Sequence, residues 1–119
     1  MQDFKNLKVW GKAHLVVLSI YKVTETFPRE ELFGLTSQMR LAASSIPTNI
    51  AEGCGRSSDS DFARFLHMAM GAACELKYQL LLSRDLNILS KTKRNLEQTL
   101  KKSRKMLSSL ISNLKLVNF

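Results

Sequence analysis

The chain has little to turn with. Its 119 residues include only 5 Gly and 2 Pro, so it must be built from a few long elements. No apolar run approaches the roughly 18–20 residues that a membrane span needs. The first residues, Met1-Gln2-Asp3-Phe4-Lys5, lack the charged stub and apolar core of an export signal. These two absences predict a cytoplasmic protein without membrane contact. Cysteine is scarce as well. Cys54 and Cys74 are 20 residues apart, outside any C-x-x-C spacing, and the chain has 2 His. A zinc site takes about four ligands, so the composition argues against one. No metal and no other cofactor is expected. Cys74 falls within an apolar helical pattern and reads as a small core residue. The missing export signal argues against a disulfide.

What is present is ordinary in amount and unusual in distribution. A hydrophobic fraction of 45% with 24% charged residues fits one globular domain over residues 1–119. The net charge is +8. Residues 91–115 hold Lys91, Lys93, Arg94, Lys101, Lys102, Arg104, Lys105 and Lys115 against a single acid, Glu97. Residues 1–90 hold 10 basic and 9 acidic side chains and are nearly neutral. A concentrated positive field recruits polyanions, of which nucleic acid is the commonest in a cell. The competing reading of the same lysines is a solvated outer helix face.

Periodicity divides the chain into four helices, at about 6–27, 35–53, 58–87 and 90–116. In the first, Leu7, Trp10, Ala13, His14, Val17, Ile20, Tyr21, Thr24 and Phe27 form a stripe in steps of three and four. Val16, Leu18 and Val23 lie outside it, and Phe27-Pro28 closes the helix. In the second, Leu35, Met39, Ala42, Ala43, Ile46 and Ile50 repeat the pattern. Pro47 lies within it and predicts a kink near Ser44 and Ser45, whose hydroxyls can serve a freed carbonyl, or else two shorter helices. Gly53 and Gly55 mark its end. In the third, Ser57-Ser58-Asp59-Ser60-Asp61 reads as a capped start. Phe62, Phe65, Leu66, Ala69, Ala73, Leu76 and Leu80 form one stripe there, and Met70, Cys74 and Leu81, flanked by Met68 and Leu82, a second. Apolar surface on two faces predicts cover on two sides, from helices of the bundle or from a second subunit. In the fourth, Ser90 is the expected cap. Leu89, Leu96, Ser103, Leu110 and Val117 recur every seven residues, with Leu100, Leu107 and Leu114 between them, a bundle seam. Short loops place successive helices antiparallel. The fold class expected is all-α, an up-and-down four-helix bundle, and the two-sided helices predict a homo-oligomer.

Candidate chemistry is sparse. His14 reads as a buried or interface histidine, and His67 has no sequence partner that defines a site. Ser44 and Ser45 lack the G-x-S-x-G setting of a nucleophile. Asp59 and Asp61 are explained by helix capping. No catalytic constellation emerges, and the chain is read as a non-enzyme. Arg40, Asn49, Glu52 and Arg56 read as a polar network between helices or subunits, with ligand or nucleic-acid contact as the alternative. Trp10 and Tyr21 read as core aromatics.

The stretch Phe33-Gly34-Leu35-Thr36-Ser37-Gln38-Met39-Arg40-Leu41-Ala42-Ala43-Ser44-Ser45-Ile46-Pro47-Thr48-Asn49-Ile50-Ala51-Glu52-Gly53 closely resembles the four-helix-bundle family encoded by intervening sequences in 23S ribosomal RNA genes, also labelled "S23 ribosomal protein". Leu7-Lys8-Val9-Trp10 with Ala13, Phe27-Pro28, and Phe65-Leu66-His67-Met68-Ala69 followed by Gly71, Glu75 and Leu76 are similar to its pattern too. The likeness covers residues 4 to about 86. The last helix matches in position and basic character. The resemblance implies an antiparallel bundle assembled as a ring-shaped homopentamer, and a link to the accessory variability determinant of diversity-generating retroelements, a basic barrel that binds nucleic acid and a reverse transcriptase. The ribosomal label reflects gene location, not a place in the ribosome.

The function expected is therefore a non-enzymatic, homo-oligomeric accessory protein that binds nucleic-acid backbone through Lys91, Lys93, Arg94, Lys101, Lys102, Arg104 and Lys105. A reverse transcriptase or another protein is a further expected partner. The alternative is an interaction scaffold whose basic face docks an acidic protein.

Overall fold

The computed structural model describes residues 3–89 and, beyond them, residues 97–99, 101, 102, 104–106, 108 and 109. Among these there is no strand. The chain opens with a 3-10 turn, Phe4–Asn6, capped by the Asp3 carboxylate, which accepts from the Lys5 amide at 3.0 Å. Helix α1 is Lys8–Thr24, α2 is Ser37–Cys54 and α3 is Asp59–Asp85. A 3-10 turn, Arg29–Glu31, and a π turn, Leu32–Thr36, join α1 to α2. The described residues from 97 to 109 are helical.

The ends of these helices follow from side chains that compete for backbone groups. The first helix was expected to reach Phe27, yet α1 stops at Thr24. The Thr24 hydroxyl donates to the Ile20 carbonyl at 2.7 Å, and the Thr26 hydroxyl to the Val23 carbonyl at 2.9 Å. The amides of Glu25, Thr26 and Phe27 tighten into turns on residues three back. At the start of α3 the expected cap is in place: the Ser58 hydroxyl accepts from the Asp61 amide at 3.1 Å, and Asp59 and Asp61 occupy the first turn. Past its end, Asn87 takes a left-handed φ of 59°, which asparagine tolerates better than most residues. The Ile88 and Leu89 amides then return to the Ser83 carbonyl.

Helix α2 is the middle element, packed against both α1 and α3. At its first turn Met39 Sδ lies 3.3 Å from the Ser83 hydroxyl near the end of α3. At its last turn Gly53 meets Phe62 and Phe65 at the start of α3, so the two helices run antiparallel. The core contains the predicted face of α2 and the first stripe of α3, all of it buried: Met39, Ala43, Ile46 and Ile50 face Leu66, Ala69, Ala73 and Leu76 among others. Helix α2 continues through Pro47, so two shorter helices are excluded. The serines do not serve the carbonyl that Pro47 leaves free, which is that of Ala43. Both Ser44 and Ser45 donate to the Leu41 carbonyl, at 3.2 and 2.8 Å. Nor does Gly55 end α2 with a left-handed residue, since its φ is −82°.

On α1 the buried face is rotated from the expected stripe. Val9, Ala13, Val16, Ile20, Val23 and Thr24 are buried, whereas His14 and Tyr21 are exposed. Of two overlapping stripes, the core takes the one whose only polar side chain, Thr24, is satisfied by the Ile20 carbonyl, which avoids the cost of burying an imidazole or a phenol. Trp10 is half-buried between Phe4, 4.9 Å away, and the exposed His14, stacked at 5.1 Å. On α3, Cys74 is exposed rather than a core residue, because α2 covers the first stripe of α3 and leaves the second facing away.

A Cβ on Gly53 would stand 2.9 Å from Phe62 Cδ1 and 3.0 Å from Phe65 Cβ. The second of these atoms is fixed by the α3 backbone. Gly53→Ala should therefore destabilise the fold by about 1–2 kcal/mol, overpacking outweighing the roughly 1 kcal/mol that alanine gains in a helix. Urea unfolding measures this, and a stabilised variant would refute the close contact.

Candidate nucleic-acid interface

The fourth helical segment is anchored at two described points. Met106 is half-buried against the core, and Glu97 lies 3.8 Å from Arg84 of α3. Lys101, Lys102 and Lys105 are exposed, and Arg104 is half-buried. Lys91, Lys93 and Arg94 lie outside the described residues, as do the Ser90 cap and the seam leucines after Leu89. Leu89 itself is buried.

Between this segment and α3 runs a groove of about 890 Å³. Its α3 wall carries Met70, Cys74, Lys77, Tyr78, Leu81 and Arg84, positions that recur in steps of three and four on one helix face. This is the second apolar stripe, with cations set into it. The facing wall presents Lys101, Arg104 and Lys105, with Glu97 as the one acid among the lining residues. Among the described residues, the buried guanidinium Nε of Arg104 has no hydrogen-bond partner, and neither does the buried Oε1 of Gln79 on α3. Sequence reasoning missed the contribution of α3, because Lys77 and Arg84 sit in a nearly neutral stretch. Only their register with Met70, Cys74 and Leu81 could have shown it.

The four residues read as a polar network form separate local arrangements. Arg40 ties α2 to α1: its Nε donates to the Thr24 hydroxyl at 2.9 Å, its Nη2 reaches the Tyr21 carbonyl at 3.4 Å, and its guanidinium lies 4.7 Å from the Tyr21 ring centre. A cation at the C-terminus of α1 also suits the negative end of that helix. Asn49 donates to the Ser45 carbonyl one turn back, at 2.8 Å. Glu52 and Arg56 pair at 2.6 Å on the surface, and Arg56 and Arg64 flank the Phe65 ring at 4.7 and 4.5 Å. Among the described residues, no group of three or more His, Cys, Asp or Glu is placed to hold a metal ion. No helix among them is long and apolar enough to cross a membrane.

With this geometry in place, the relatives decide the family. The sequence pattern of the 23S rRNA-intervening sequence proteins matches residues 5–109. The chain belongs to this family. A solved structure from Bacteroides thetaiotaomicron VPI-5482, a protein with unknown function from the S23 ribosomal protein family, is similar in fold. Its TM-score is 0.80 at 24% identity, covering 87% of this chain and 95% of that one. No curated protein matches the chain. Family membership places the fourth segment, to residue 109, inside the shared pattern, where the sequence resemblance had ended at about residue 86.

The two thiols of this family member differ in environment. Cys54 is buried, and desolvation, with a smaller contribution from Asp3, pushes its pKa upward. A thiol so placed stays protonated at neutral pH and reacts slowly. Iodoacetamide at neutral pH should therefore modify Cys74 in the folded protein and reach Cys54 only after denaturation, as peptide mass mapping would read out. Equal native labelling would contradict the packing at the end of α2.

Proposed function

We propose that the chain is a non-enzymatic, homo-oligomeric helical bundle that binds nucleic-acid backbone as an accessory factor. The observation that carries this reading is the exposure of Lys101, Lys102 and Lys105 on the fourth segment, on a chain whose first 90 residues are nearly neutral. Lys77 and Arg84 extend the same positive surface onto α3. Recognition is electrostatic, because phosphate contacts position a protein without reading sequence.

Self-association is supported by a separate surface. Tyr21 of α1, Leu32 and Phe33 of the π turn and Leu41 of α2 line one shallow surface, and all are exposed, Phe33 at 92%. A contiguous exposed apolar surface of this kind favours a protein contact. Five copies at +8 each, as in the homopentameric ring that the family resemblance implies, would carry close to +40. A reverse transcriptase or another protein is a further partner consistent with an accessory role.

Two experiments test this. The mass in solution should lie well above 13.5 kDa by light scattering, and a clean monomer would overturn the ring. Replacing Lys101, Lys102, Arg104 and Lys105 by Gln should weaken binding to a structured RNA. It should also lower the slope of log affinity against log salt by up to about 3, at roughly 0.7–0.9 per lost phosphate contact. An unchanged slope would remove the fourth segment from the interface. No binding even at low salt would leave the basic face as a dock for an acidic protein.

A further inference from the structure

The groove between α3 and the fourth segment has a composition that backbone neutralisation alone does not require. A surface that meets only phosphates needs cations. This one sets cations around an apolar floor of Met70, Cys74 and Leu81 and an aromatic ring, Tyr78, that is 61% exposed. Its volume of about 890 Å³ falls within the roughly 300–1,000 Å³ of ligand-binding clefts.

We infer that this groove takes single-stranded nucleic acid, with an unpaired base stacked on Tyr78 and the flanking phosphates held by Lys77, Arg84, Lys101 and Lys105. The inference rests on the nucleic-acid reading above and narrows it to unpaired strands. The argument is one of shape and chemistry. A duplex keeps its bases stacked inside and presents phosphates outside, so it meets the rim of such a groove and leaves the floor empty. A single strand can turn a base inward, where an aromatic face and apolar side chains replace the stacking it gives up. The cations lie on both walls, Lys77 and Arg84 on α3 and Lys101 and Lys105 opposite, so a strand along the groove is neutralised from two sides. Lys101 and Lys105 stand one helical turn apart, about 6 Å along the axis. Glu97 is the one acid in the lining; its 3.8 Å pair with Arg84 is exposed on both sides and weak, so a phosphate can share or displace it.

The test compares two probes with the full chain: an oligouridylate of about 12 nucleotides, within the range of single-strand site sizes, and an RNA duplex of the same length. Tyr78 is exposed, so Tyr78→Ala keeps the core intact, which circular dichroism confirms. Fluorescence anisotropy should show Tyr78→Ala binding the oligouridylate about tenfold more weakly, the loss of one stacked base. Its duplex affinity and its salt slope should be unchanged, and Tyr78→Phe should bind like the parent chain. If Tyr78→Ala leaves oligouridylate affinity intact, or weakens both probes equally, the single-strand site is overturned while the electrostatic reading stands. If the parent chain binds neither probe at low salt, both fall together.

Discussion

Gly53 lets the last turn of α2 lie against Phe62 and Phe65, and Met39 meets Ser83 at the other end of the same helix pair. The antiparallel contact of α2 with α3 is the constraint on which the rest of the molecule depends. Small residues make it close: Ala42 and Ala43 on α2, and Ala69 and Ala73 on α3, are all buried. Once α2 is held in this way, its other side receives α1, with Arg40 joining the two through Thr24 and Tyr21. The same contact decides what remains outside. α3 spends its first stripe on α2, and its second faces the fourth segment across the groove. α1 spends Val9, Ala13, Val16 and Ile20 on the core and leaves Leu15 and Leu18 in water.

Much of this was legible in the sequence. The predicted face of α2 and the first stripe of α3 are buried in full, because each repeats apolar residues at the helical period; Pro47, Gly53 and Cys54 on α2 and Gln79 and Ser83 on α3 are buried beside them. The Ser58 cap was legible because serine followed by two acids has one good use at a helix start. α1 was harder. Trp10, His14, Val17 and Tyr21 compete there with Val9, Val16 and Val23, two stripes that share Ala13, Ile20, Thr24 and Phe27, and only the neighbouring helix decides between them. Cys74 was misplaced for a related reason, since periodicity identifies an apolar face without saying what covers it. The basic residues of the fourth segment stand out in the sequence by density. The groove does not, because it joins Tyr78 and Lys77 to Lys101 and Lys105 across a turn, and no local pattern records that pairing.

The surface is thereby divided by chemistry. Cations gather where the fourth segment faces α3, and the solvent-facing apolar residues of α1, the π turn and α2 lie on the neutral part of the chain. Under the proposed function the two kinds of surface would take different partners: desolvation would drive contact on the apolar one, and counterion release on the other. A single chain can therefore assemble through one and hold a polyanion through the other without the two competing. Family membership is consistent with such a division without assigning a role, since the similar solved protein is itself described as having unknown function.

Lysine reactivity tests this division most directly. Acetylation in the presence and absence of a structured RNA, mapped by mass spectrometry, reports each lysine separately. Protection at Lys77, Lys101, Lys102 and Lys105, with Lys5, Lys8 and Lys22 on the α1 side as reactive as before, is the result the account predicts. Protection concentrated on the α1 lysines, or no protection anywhere at RNA concentrations that saturate binding, would contradict it.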